Sequence, residues 1–96
     1  MIDINEKSTT ISVSELTQRA KSLLEGHFAR VDVEGEISDF TAASSGHWYF
    51  TLKDSESQVR CAMFRSANAK LRFKPSRGDR VQVRARVSLY TNRGEF

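Results

Sequence analysis

A single cysteine, Cys61, leaves this 96-residue chain with no partner for an internal disulfide and without the ligands of a usual zinc site. No apolar run approaches the roughly 20 residues that cross a bilayer. The opening "MIDINEKSTT" lacks the basic start and apolar core of a secretory leader. The cytoplasm is therefore the expected compartment. Gly-rich phosphate loops of the P-loop or Rossmann type are absent, as are internal repeats and low-complexity tracts. Neither His27 nor His47 stands at metal-ligand spacing from Cys61. Asp32, Glu34 and Glu36 alternate along one strand pattern, with Asp39 beyond them and no histidine nearby in sequence. They read as a solvated strand face, not as an acid–base pair or a Mg²⁺ site. Cys61 alternates with Val59 and Met63 on an inward series, which makes it a small apolar filler and not a nucleophile. No catalytic residue, metal or cofactor is expected in this stretch.

What the chain does have is an uneven charge. The first 48 residues hold four Lys/Arg against eight Asp/Glu, and the last 48 hold eleven against four, within a net charge of +3. A basic half points toward a polyanion, of which nucleic acid is the commonest. A plainly solvated surface is the competing reading.

Residues 1–10 are polar and unpatterned, which predicts a disordered N-terminus ahead of one domain over 11–96. Ser12 and Glu15 stand at capping-box spacing, with Ile11 and Leu16 placed as a hydrophobic staple. Leu16, Ala20, Leu23 and Leu24 recur at helical spacing, and Gly26 sits where a C-terminal cap belongs. A helix is expected at 13–25. The remainder alternates as strands: "RVDVEGEISDF", "HWYFTLK", "SQVRCAMFR" and "RVQVRARVSLY". Gly35 interrupts the first series, as at a bulge or sharp bend. "DSES" and "KPSRGD" read as turns, and "SANAKLRF" as a short helix or helical turn. "TNRG" is a turn before "EF", where a fifth strand would begin. This order suits a five-stranded Greek-key barrel of the OB type, mainly β with an N-terminal helix and its fifth strand truncated. A four-stranded sheet with the helix laid across it is the rival.

Alternation puts Trp48 and Phe50 on one face of the second strand and His47, Tyr49 and Thr51 on the other. In a hairpin, the second set shares its face with Arg60 and Phe64 of the next strand, with Arg65 beside them. Rings interleaved with cations are what single-stranded nucleic acid needs: planar surfaces for unstacked bases and positive charge for phosphates. The loops "TAASSG" and "YTNRG", the latter with Arg93, flank such a face in OB-folds. Competing placements put Tyr49 under the helix or a loop, and pull Phe64 inward against Leu71. Arg84 and Arg86 face the acidic row of the first strand, and cross-strand ion pairs are expected to neutralise much of both rows.

The runs "VEGEISDF", "SGHWYFTLKD", "QVRCAMFR" and "GDRVQVRARVSLYTNRGEF", in this order, resemble the N-terminal OB-fold nucleic-acid-binding domain of bacterial exodeoxyribonuclease VII large subunits, from about Ile11 to Phe96. The resemblance implies a single-stranded DNA-binding module of a nuclease that degrades single strands from both ends to short oligonucleotides. It implies a small helical subunit as partner of the whole enzyme, and a catalytic domain C-terminal to this region. On the matching positions it carries the binding role to His47, Tyr49, Arg60, Phe64 and Arg65, and more loosely to Arg93. The family's domain continues through a fifth strand, whereas this chain stops at Phe96 and so reads as a cut piece. Its open strand edges then predict a homodimer by strand pairing or exchange, or a loosened monomer. Two other functions remain open on the residues: an RNA-binding OB module of the anticodon-binding type, and a module that docks on the rest of its own protein.

Overall fold

The structure, a computed structural model, describes Ile4 and residues 10–90. They belong to two compact units, Arg30–Ala85 on one side and Met1–Ala29 with Arg86–Phe96 on the other. Of the N-terminal stretch expected to be disordered, only Ile4 and Thr10 are among the described residues.

In the helical unit, Ser12 is extended and its Oγ accepts the N–H of Glu15 at 3.0 Å, which satisfies one of the orphan donors of the first turn. Helix α1 runs from Val13 to His27. Gly26 does not end it. The helix continues through that residue, and Phe28 closes it by donating its N–H to the Leu24 carbonyl at 2.8 Å. After the sheet, Val87 donates to the Phe28 carbonyl (3.0 Å) and the Ser88 hydroxyl donates to Glu25. That hydroxyl holds the Glu25 carboxyl below the usual range, helped by Arg86 and Lys21.

The sheet unit contains β1 (Val31–Ala42), β2 (Trp48–Lys53), β3 (Gln58–Met63), α2 (Arg65–Asn68) and β4 (Arg80–Ala85). All pairings are antiparallel, in the order β3-β2-β1-β4. The expected barrel is not what forms. The sheet is open, with β3 and β4 as its two outer strands and no described strand joining them. Closure needs such a bridging strand, and the expected fifth strand at 95–96 lies outside the described residues. The fourth strand is also shorter than its alternation suggested. Its ladder with β1 ends at the pair Val31↔Ala85, and from Arg86 on the chain belongs to the helical unit.

One face of the sheet is apolar. Ile37, Phe50 and Leu52 are its buried centre. Phe40 meets Trp48 edge-on at 5.3 Å between centroids and stacks on Phe50 at 6.2 Å, arrangements aromatic quadrupoles favour. Trp48, expected in the core, is only half-buried. The bulge of β1 lies at Ser38, between Ile37 and Asp39, not at Gly35. The extra residue shifts the alternation by one, so that Ile37 and Phe40 both face the core while Asp39 faces out opposite Thr51. Gly35 instead permits close approach of β1 to β2. A Cβ there would stand 2.8 Å from the Lys53 carbonyl oxygen and 2.9 Å from Leu52 Cγ.

Both expected turns form around an aspartate. Asp54 accepts the N–H groups of Glu56 and Ser57 at 2.8 and 2.9 Å, which lowers its carboxyl from the usual range. Asp79 accepts the N–H of Ser76 at 2.9 Å. That second turn, with Gly78 at φ +94°, docks on β1 through Gly78 N–H to the Ile37 carbonyl (2.7 Å) and Ile37 N–H to the Asp79 carbonyl (2.9 Å).

Candidate nucleic-acid interface

The outward face of β2 and β3 is built by register. Tyr49 lies opposite Ala62 of β3 and Thr41 of β1, and Thr51 lies opposite Arg60 and Asp39. Paired residues share a face, so Tyr49 stands on the side away from Phe50. Its direct neighbours are small, it is half-buried, and its hydroxyl makes no hydrogen bond among the described residues.

At the open end of this ladder the rings of His47 and Phe64 meet edge to face, 5.2 Å apart at 72°. Phe64 is 59% exposed, which rules out its burial against Leu71. His47 is fixed from behind: its Nδ1 accepts the backbone N–H of Arg65 at 2.9 Å. The side chain of Arg65 runs against Gly46, where a Cβ would fall 2.7 Å from Arg65 Cδ, and Gly46 has φ +92°. The β1–β2 loop is cross-tied. Gly46 donates to the Ala43 carbonyl, and Ala43 to the His47 carbonyl, both at 2.9 Å.

Sequence reasoning missed Asn68. It is buried in α2, and its Nδ2 donates to the carbonyls of Gly46 (2.9 Å) and Met63 (3.3 Å). One amide thus clips α2 to the loop before β2 and to the end of β3, holding His47, Phe64 and Arg65 together. The only available signal was an asparagine inside a helical pattern, where it is a poor helix former unless its side chain has work elsewhere.

The cations are placed unequally. Arg60 donates from Nη1 to Thr51 Oγ1 (2.9 Å) and to Asp39 Oδ1 (3.1 Å). It is therefore charge-paired, and not the free cation that its position on the strand suggested. Both partners are more than half exposed, so the pair contributes no more than about 1 kcal/mol. Arg84 reaches Asp32 through Nε (2.8 Å) and Nη2 (3.3 Å), as the opposed rows of β1 and β4 predicted. That hydrogen bond holds Asp32 below the carboxylate range and raises Arg84. Arg65 makes no ion pair among the described residues. Arg93 lies outside them. The face therefore presents Tyr49, the His47–Phe64 pair, Arg65 and a braced Arg60.

Among the described residues no three His, Cys, Asp or Glu side chains converge. Burial pushes the half-buried Cys61 thiol up, away from the thiolate that a nucleophile needs. What the arrangement can do chemically is hold a flat, polyanionic chain, with rings for bases and guanidinium groups for phosphates. A family model described as an OB-fold nucleic acid binding domain matches residues 11–96, nearly the whole chain. The chain belongs to this family of OB-fold nucleic acid binding domains.

Proposed function

We propose that the chain binds single-stranded nucleic acid on the outward face of β2 and β3, stacking bases on Tyr49 and Phe64 and taking phosphates on Arg65 and Arg60. The observation that carries the reading is one face on which the half-buried Tyr49 ring and the His47–Phe64 pair stand beside the guanidinium groups of Arg60 and Arg65. A duplex hides its bases from such rings, whereas an unstacked strand presents them. Titration of the chain with labelled single strands and with a duplex of equal length tests this. Tighter binding of the duplex would refute it.

Two finer readings rest on different observations. The matched family is named for tRNA, which favours RNA of the anticodon-binding type. The runs "SGHWYFTLKD" and "QVRCAMFR" resemble exodeoxyribonuclease VII large subunits, which favours single-stranded DNA and makes the chain the binding part of a cytoplasmic nuclease whose small subunit joins the whole enzyme. Competition between oligo-dT and oligo-U of equal length separates them, because only RNA offers a 2′-hydroxyl. The outer strands β3 and β4 each have one edge that no described strand pairs. Such edges recruit further strands, and we place a homodimer by edge pairing among the proposed states. Light scattering that shows a monomer at all concentrations refutes it.

A further inference from the structure

We infer that the segment between α2 and β4 is a second contact for the same strand, a phosphodiester-binding cleft that extends the β2–β3 face around the end of the sheet. The inference rests on the single-strand reading above. The segment "AKLRFKPSR" carries Lys70, Arg72, Lys74 and Arg77 within eight positions, and none of them has an ion pair among the described residues. The nearby acids are Asp79, which accepts the Ser76 N–H, and Asp39, which is paired with Arg60. Four cations without an ion pair among the described residues outnumber the two nearby carboxylates, Asp39 and Asp79, and leave a positive field that a polyanion neutralises.

The path of the segment gives that field a position. Asn68 clips the start of the segment to Gly46 and Met63, beside the His47–Phe64 pair. At its other end, Gly78 and Asp79 bond to Ile37. Between them Lys74 stands 5.8 Å over the Phe40 ring, on the apolar side of the sheet. An open cleft lies here, lined by Ser38, Asp39, Phe40, Lys74, Ser76 and Arg77 along the stretch of β1 that β4 does not pair; its one carboxylate, Asp39, is paired with Arg60. Phe73, in the midst of these cations, is 62% exposed. A large ring held out among unpaired cations repeats the chemistry of the first face. A strand leaving Phe64 and Arg65 therefore meets a second ring and four further cations as it rounds the sheet end.

The test uses two oligo-dT lengths, about 5 and about 16 nucleotides, near the two ends of the range that one OB module covers. Fluorescence anisotropy is read over a salt series. The triple variant Arg72→Gln/Lys74→Gln/Arg77→Gln is expected to bind the long strand at least about tenfold more weakly, with a log–log salt slope smaller by ~2, at ~0.7 per phosphate released. Its binding of the short strand should be unchanged. Phe73→Ala should weaken the long strand by about fivefold or more with no change of slope, as loss of a stacking platform does. Circular dichroism melts confirm that each variant is folded. Wild-type affinity and slope of the triple variant on the long strand overturn the inference, and so does an equal loss on both lengths. Wild-type protein that binds neither length overturns the single-strand reading itself, a result distinct from the other two.

Discussion

Replacing Tyr49 by alanine separates the two faces of β2. On the outward face the ring has Ala62 and Thr41 opposite it and no hydrogen bond from its hydroxyl among the described residues. Folding therefore loses one cross-strand contribution of about 0.2–1 kcal/mol, a few degrees in Tm for a domain of this size. Binding loses a stacking platform, about 1–3 kcal/mol, or roughly 5–150-fold in Kd. Trp48→Ala perturbs the other face. Full truncation of a buried tryptophan costs about 3–5 kcal/mol. Trp48 is half-buried and edge-on to Phe40, so about half of that is expected, with unchanged affinity of the folded protein. Tyr49→Phe keeps the ring and should bind within about twofold of wild type, since stacking needs only the π-face. Anisotropy with labelled oligo-dT and oligo-U and urea melts of all three variants supply the data. If Tyr49→Ala melts as early as Trp48→Ala while its folded fraction binds normally, Tyr49 is a packing residue and the interface is misplaced.

Arg60→Ala should lower the salt slope by roughly 0.7, whereas Arg84→Ala, already engaged by Asp32, should leave it nearly unchanged; equal losses would move the interface to β4. Asp39→Asn frees Arg60 and should tighten binding and steepen the slope, and weaker binding would show that Asp39 is needed to aim the guanidinium. Gly35→Ala drives a Cβ into the Lys53 carbonyl and should cost about 1–3 kcal/mol in a urea melt, with wild-type stability meaning that β1 and β2 can part there at no cost. Asp32 has a lowered folded pKa, so its bond to Arg84 stabilises the fold above the ordinary carboxylate value of about 4 and is lost as pH falls through the lower folded one; Asp32→Asn should flatten the acid limb of a Tm–pH curve, and an identical limb would show that the bond contributes nothing.

Most of what parity alone determines was legible in the sequence. Alternation placed Val59, Cys61 and Met63 opposite Arg60 and Ala62, and the registers agree. The Ser12–Glu15 spacing marked the start of α1 correctly, because an N-cap is a contact between residues three apart. Its end was misread, because Gly26 tolerates helical dihedrals as well as left-handed ones. Closure of the sheet was misjudged for a different reason. A barrel is a relation between first and last strands, and strand count and order do not show whether two edges meet. A bulge or sharp bend was expected at Gly35 because glycine is the usual marker, yet the extra residue is Ser38 and the glycine serves a close strand contact.

That single displaced bulge explains why rings were easier to place than charges. Whether Tyr49 faces out depends only on its own strand. Whether Arg60 is free depends on which residue of β1 lies two strands away, and one inserted residue changes the answer from Ser38 to Asp39. The same dependence sorts the cations of the basic half. Arg84 is spent on Asp32 and Arg60 is shared with Asp39, both because β1 is acidic on its outward side. Arg86 stands near Glu25 in the other unit. Among the described residues of that half, Lys53 on β2 and Arg80 on β4 have no ion pair, and the other unpaired cations follow β3 in sequence: Arg65 and the cations between α2 and β4, where no strand partner exists to offer a carboxylate. In a sheet whose central strand is acidic, most of the unpaired positive charge of the basic half stands where the chain leaves the sheet. The usable field therefore gathers at the end of the sheet beside His47 and Phe64, and a bound strand would enter there first.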